Sequence, residues 1–154
     1  MLNENDLAPD VALTGADGET VRLGDFRGNK LVVYFYPKDD TSGCTREAQD
    51  FTELAQEFEA VGTWVIGVSK DDPKSHAKFR DKYDLKVRLL SDADGAACEA
   101  FGTWVEKSMY GRKYMGIERA TFLIDRDGVV KRAWRKVKVP GHAAQVLAAA
   151  RELA

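Results

Sequence analysis

Only two cysteines occur in 154 residues, Cys44 and Cys98, 54 positions apart. That spacing offers neither a disulfide framework nor a CxxC metal or redox pair, and it suits a reducing compartment. An excess of basic charge is also missing. Lys and Arg number 23 against 25 Asp and Glu, a net of −2, so no global positive field exists to hold nucleic acid or anionic lipid. Long apolar runs are absent too. The strongest, LVVYFY (31–36), is far short of a membrane span, and MLNENDLAPD carries acids where a signal peptide needs basic and apolar residues. His76 and His142 stand alone in the sequence, so no metal cluster is visible. The expectation is a cytoplasmic protein with no nucleic-acid or membrane partner.

What is present is enough apolar material for one core: 44% of the residues are hydrophobic, at the length of one domain, 1–154. VAL (11–13) and TVRL (20–23) flank TGADGE, whose Gly and Asp residues suit a tight turn, so an opening β-hairpin is expected. LVVYFY and WVIGVS (64–69) are strand-length runs without clean alternation, as for strands covered on both faces. Between them Ala48, Phe51, Leu54, Ala55 and Phe58 recur at helical spacing, and Gly62 is placed to end that helix. A second helix fits DPKSHAKFRDKYD (72–84), with Pro73 in its first turn; VRLL reads as a short strand and GAACEAFG as a short helix. ATFLID and VVKRAW, joined by RDG, form a hairpin, and GHAAQVLAAAREL after Pro140 supplies a last amphipathic helix. The order βαβ, α, ββα describes an α/β thioredoxin-like fold, a mixed central sheet flanked by helices, with an N-terminal β-hairpin.

The chemistry centres on FYPKDDTSGCTREAQDF (35–51). If a helix begins near Ser42 or Gly43, Cys44 lies in its first turn, where backbone N–H groups and the dipole favour thiolate over thiol. Gly43 lets the backbone approach a small substrate, and Pro37 fixes the chain as it leaves the strand. The Thr41 hydroxyl could donate towards the sulfur, or Thr41 can equally be the helix N-cap. The plainer reading, an inert buried cysteine, is the commoner state of this residue type, but strand, Pro, Thr, Gly and helix start coincide here.

YPKDDTSGCTREAQDF resembles the active-site segment of peroxiredoxins, specifically the bacterioferritin-comigratory (Q-type) subfamily. The family's Pro-x-x-x-Thr-x-x-Cys pattern matches at Pro37, Thr41 and Cys44. The similarity runs from APDVALTGADGETVRLGDFRG through FGTWVEKSMYGRKYMGIERATFLIDRDG to WRKVKVPGH. It implies a thiol peroxidase of antioxidant defence, in which Cys44 attacks a peroxide oxygen, becomes a sulfenic acid and is reduced by thioredoxin or another small thiol. It also implies Arg119 in GIERATF as the active-site arginine, no cofactor or metal, and a monomer. Glu47 matches a family acid that could orient the arginine or merely complement the helix dipole; it stays outside the core set.

The sequence departs from the subfamily at two points. Position 49, where many members carry a resolving cysteine, is Gln, and Ser42 stands where Pro is usual. Cys98 is the only internal candidate for a resolving cysteine, and bonding would need the two Cα atoms within about 7 Å, hence local unfolding. Its alternative is a small buried residue near Phe101, which leaves resolution to an external thiol. Trp104, Met109, Tyr110 and Met115 are candidates for an apolar rim around the pocket.

Three rival readings carry less. TFLIDRDGVV resembles the Asp-x-Asp-Gly of haloacid-dehalogenase-type phosphotransferases, but 26 residues follow Gly128 without paired acids, and a hairpin turn accounts for it. KRAWRKVK (131–138) could be a basic-aromatic nucleic-acid patch, yet its alternation suits a charged edge strand. A thioredoxin-like domain that only binds partners or acts as a holdase would lack peroxide turnover.

Overall fold

The computed structural model describes residues 2–154. The opening hairpin forms as expected, from β1 (Ala12–Gly15) and β2 (Thr20–Arg22), with Leu13 opposite Val21 and both buried. β3 (Lys30–Phe35) and β4 (Thr63–Ser69) are parallel, and the chain between them is helical. That stretch is broken in two, α1 (Ser42–Glu53) and α2 (Ala55–Ala60), where the sequence pattern suggested one helix. The break lies at Leu54, whose ψ of 6° leaves the helical well while its N–H still reaches Phe51 and Thr52 carbonyls.

α3 (Pro73–Tyr83) starts as its sequence indicates, with Pro73 at the first position and the Asp72 carboxylate accepting from Ser75 N–H. β5 (Arg88–Ser91) pairs parallel to β4, and α4 (Ala96–Ala100) follows. β6 (Trp104–Met109) and β7 (Arg112–Ile117) form a separate antiparallel ribbon, a second sheet that the sequence reading did not anticipate. β8 (Ala120–Ile124), β9 (Val130–Arg135) and α5 (His142–Glu152) complete the chain. The main sheet has the order β2-β1-β5-β4-β3-β8-β9, so β9, with exposed Arg132 and half-buried Lys131 and Arg135, is an edge strand.

Every residue of β3 is buried, and its alternation divides the core. Leu31, Val33 and Phe35 pack with Ile66, Val68, Leu90, Phe122 and α4 on one face. Val32, Tyr34 and Tyr36 pack with α1, α3 and α5 on the other. The C-terminal end of β3 leads through the short loop 36–41 into the first turn of α1.

Candidate active site

Beyond β3 the chain passes exposed Pro37, turns at Asp40 (φ +57°), and enters α1 at Ser42. The first backbone bond into the helix is Thr45 N–H to the Thr41 carbonyl (2.8 Å), so the N–H groups of Ser42, Gly43 and Cys44 precede it and face the helix mouth. Cys44 is 2% exposed. Its sulfur accepts a hydrogen bond from Arg119 Nη2 at 3.2 Å, and the other guanidinium nitrogen, Nη1, donates to Glu47 Oε1 at 2.6 Å. Sequence reasoning could not show that Arg119 faces Cys44; the fold brings them together across 75 residues. Gly43 lies close under the guanidinium: a Cβ there would sit 3.3 Å from Nη2, so the arginine tip would have to give by a few tenths of an ångström. The backbone of Arg119 is fixed in turn by Val137 N–H on its carbonyl (3.0 Å).

Glu47 lies one helical turn after Cys44 and is 1% exposed. Burial pushes its carboxyl up to about 7, against the pull of the Arg119 charge and hydrogen bond. Glu47 Oε2 and the buried Tyr34 hydroxyl have no hydrogen-bond partner among the described residues. Burial, then the nearby Glu47 and Cys44 charges, hold the Tyr34 phenol well above its usual range. His142, hydrogen-bonded through Nε2 to Thr121 Oγ1 (2.8 Å), is pushed down to about 4 by burial and by the Arg119 charge. A buried acid and a buried base thus feel the same guanidinium.

Thr41 occupies the N-cap position, but its side chain neither caps the helix nor donates to the sulfur. Its hydroxyl proton goes to the Lys38 carbonyl three residues back (2.9 Å), which closes the turn before α1. The hydroxyl lone pairs remain. Lys107, on β6, is an addition that sequence reasoning missed. Burial, then the Arg119 charge, holds its ammonium below the usual range, while Cys44 acts in the opposite sense. Its stem lies over Gly116, where a Cβ would meet Lys107 Cδ at 3.2 Å. The suggested apolar rim is split by the ribbon register: Trp104 and Met115 share one face, Met109 lies on the other with Lys107, and Tyr110 projects from the turn.

Cys98 is placed apart from this site. It is fully buried on the opposite side of the main sheet, with its N–H donated to Asp92 Oδ2 (2.8 Å). Burial, reinforced by Asp92, pushes its thiol up to about 12. Among the described residues no group of three or more His, Cys, Asp or Glu side chains could hold a metal ion. No described helix is long and apolar enough to cross a membrane.

The AhpC/TSA family model matches residues 5–133. The chain is 49% identical over 140 residues to the putative peroxiredoxin bcp of Coxiella burnetii, spanning 91% of this chain and 93% of that protein. It is 43% identical over 141 residues to the peroxiredoxin Bcp of Escherichia coli, spanning 92% and 90%. Among solved structures it is similar to the bacterioferritin comigratory protein of Xanthomonas campestris, whose trapped intermediate and ligand complexes concern its alkyl peroxide reduction activity; the TM-score is 0.90 at 46% identity, over 96% of both chains.

Proposed function

Because this chain belongs to the AhpC/TSA family and is a thiol peroxidase of the peroxiredoxin kind, we propose that Cys44 is its peroxidatic cysteine, with Arg119, Thr41 and Pro37 completing the site. The observation that carries the assignment is the Arg119 guanidinium on the Cys44 sulfur at 3.2 Å. A sulfur lone pair attacks the terminal oxygen of a hydroperoxide, the O–O bond breaks, and the departing RO⁻ takes a proton to leave as ROH. Sulfur loses two electrons and becomes sulfenic acid; the two peroxide oxygens gain them as the O–O bond breaks. Negative charge moves from sulfur to the leaving oxygen, and Arg119, with the N–H groups at the start of α1, lies where both atoms must pass. Thr41 has spent its proton on Lys38, so its oxygen serves the substrate as an acceptor for the hydroperoxide O–H. Pro37 sets the direction in which the loop leaves β3.

An external thiol R′SH, thioredoxin or another small thiol, then attacks the sulfenic sulfur and releases water, and a second thiol frees Cys44 from the mixed disulfide. Cys98 is read as structural, supported by its burial on the far side of the sheet. The substrates are hydrogen peroxide and organic hydroperoxides; the protein works as a cytoplasmic monomer of one domain.

Intact mass after one equivalent of peroxide, without and then with thiol, tests this on wild type, Cys44→Ser, Cys98→Ser and Arg119→Ala. Wild type and Cys98→Ser should gain one oxygen and lose it to thiol. Cys44→Ser should gain none, and Arg119→Ala should oxidise about 10²-fold more slowly. Peroxide turnover at the wild-type rate by folded Cys44→Ser would sink the assignment.

A further inference from the structure

The loop that delivers Cys44 is held by a buried polar network with no part in the peroxide chemistry above. Asp39, five residues before Cys44 and 7% exposed, lies at its centre. Its carboxylate accepts from the Tyr36 hydroxyl (2.6 Å) and from Ser75 Oγ (2.7 Å), and it faces His76 Nδ1 at 2.7 Å. His76 is fully buried, and its Nε2 lies 3.1 Å from the Leu90 carbonyl. A carbonyl and a carboxylate both accept, so a ring proton on either nitrogen finds a partner. The Asp39 N–H donates to Asp71 Oδ2 (2.8 Å), which also takes the Ser69 hydroxyl (2.7 Å). The next residue, Asp40, accepts from Tyr83 Oη (2.6 Å) and Lys82 Nζ (2.8 Å) at the other end of α3. Residues 36–40 are thus fastened to both ends of α3. From Thr41 to Cys44 the only side-chain hydrogen bonds among the described residues are Thr41 to Lys38 and Arg119 to the sulfur.

Cys44 is buried, yet a reductant's sulfur must come within a bond length of it, about 2.05 Å. The first turn of α1 has to swing out. We propose that the Asp39–His76 pair is a latch on this movement: while it is closed, residues 36–40 stay on α3 and hold Thr41 to Cys44 in place, and the turn swings outward about Asp40 as the latch releases. The pair acts through the loop, as positioning residues, and its strength sets how readily the oxidised sulfur becomes accessible. Asp40, already at positive φ, is the point where the backbone changes direction. The proposal rests on the reading that an external thiol reduces Cys44.

The test uses Asp39→Asn, and Ser75→Ala as a milder variant that removes one donor to the same carboxylate. Three quantities are followed in the full-length protein: the single-turnover rate of Cys44 oxidation, the rate at which excess dithiothreitol reduces the preformed sulfenic acid, and amide exchange over residues 36–45. Weakening a charge-assisted hydrogen bond should raise local opening, and with it the reduction rate, by about tenfold in Asp39→Asn, with a smaller rise in Ser75→Ala. Exchange should increase at 36–45 and stay unchanged in the β3 and β8 strands, and oxidation should not accelerate. Faster exchange with an unchanged or slower reduction rate overturns the latch, as does exchange that rises equally across the whole sheet, which is simple destabilisation. Wild type that forms no sulfenic acid overturns both the latch and the reading of Cys44; wild type that cycles while the variants reduce normally overturns the latch alone.

Discussion

Glu47 and His142 are two buried groups whose protonation is set chiefly by burial, with the Arg119 charge opposing the shift of the first and adding to that of the second. Glu47 goes from an ordinary 4.5 up to about 7, chiefly through burial, and His142 from 6.5 down to about 4, through burial and then the Arg119 charge. Their contributions to stability have opposite signs. For Glu47 the folded value is raised, so its contribution is full below about 4.5 and is lost as pH rises through about 7. For His142 the folded value is depressed, so its contribution is full above about 6.5 and is lost as pH falls through about 4. Over the shared window the two slopes oppose each other and the wild-type profile is flattened. Urea unfolding at a series of pH values should separate them. The wild-type minus Glu47→Gln difference falls with rising pH between about 4.5 and 7, and the wild-type minus His142→Asn difference rises between about 4 and 6.5. pH slopes of the same sign in the two differences would show that the two groups are not held as the geometry implies.

At the scale of elements, the parts with local signals were legible and the parts fixed by distant contacts were not. Asp72-Pro73 marked the start of α3, and Asp127-Gly128 marked the β8–β9 turn, because caps and turns are chosen by adjacent residues. The α1–α2 break was hidden: Phe51 and Phe58 are buried and Leu54 packs against the same core, so the apolar spacing continues while the backbone changes. The β6–β7 ribbon was missed because much of both its faces is exposed, with apolar and charged side chains on each, so the alternation carries no contrast. Its Tyr110-Gly111 turn, both residues at positive φ, was the available cue. α4 is short, and its start depends on Asp92, whose two carboxylate oxygens take the N–H groups of Ala97 and Cys98. Asp92→Ala should therefore cost about 2 kcal/mol in urea unfolding and make Cys98 alkylate faster in the native state, since it removes a cap of a kind worth roughly 0.5–2 kcal/mol and leaves buried donors unpaired. Unchanged stability would mean that α4 is held by its packing alone.

Across the whole molecule, the decisive fact about the two cysteines is the sheet between them. The sequence shows only a separation of 54 positions, and nothing in that number says on which face each residue packs. The alternation of β3 does: Cys44 belongs with Val32, Tyr34 and Tyr36, and Cys98 with Leu31, Val33 and Phe35. In the same way the candidates Cys44, Thr41 and Pro37 come from one contiguous segment and Arg119 from the resemblance alone, whereas the contacts of Arg119 with Cys44 and Glu47 needed the β3–β8 pairing to become visible. A Cys44–Cys98 disulfide needs Cα atoms within about 7 Å, so either α1 or α4 must leave its face of the sheet before it can form. Opening of that size is a sub-global event whose population grows as stability is lowered. In native wild type treated with one equivalent of peroxide, the sulfenic acid should persist long enough to be trapped, and little disulfide should form. In urea below the unfolding midpoint the disulfide yield should climb with denaturant, and it should climb earlier in Asp92→Ala, where α4 is loosened. Non-reducing intact mass after quenching reads both species together. Rapid, complete disulfide in native wild type, with multi-turnover activity lost in Cys98→Ser, would establish instead that the chain crosses its own sheet in every cycle with Cys98 as the resolving partner.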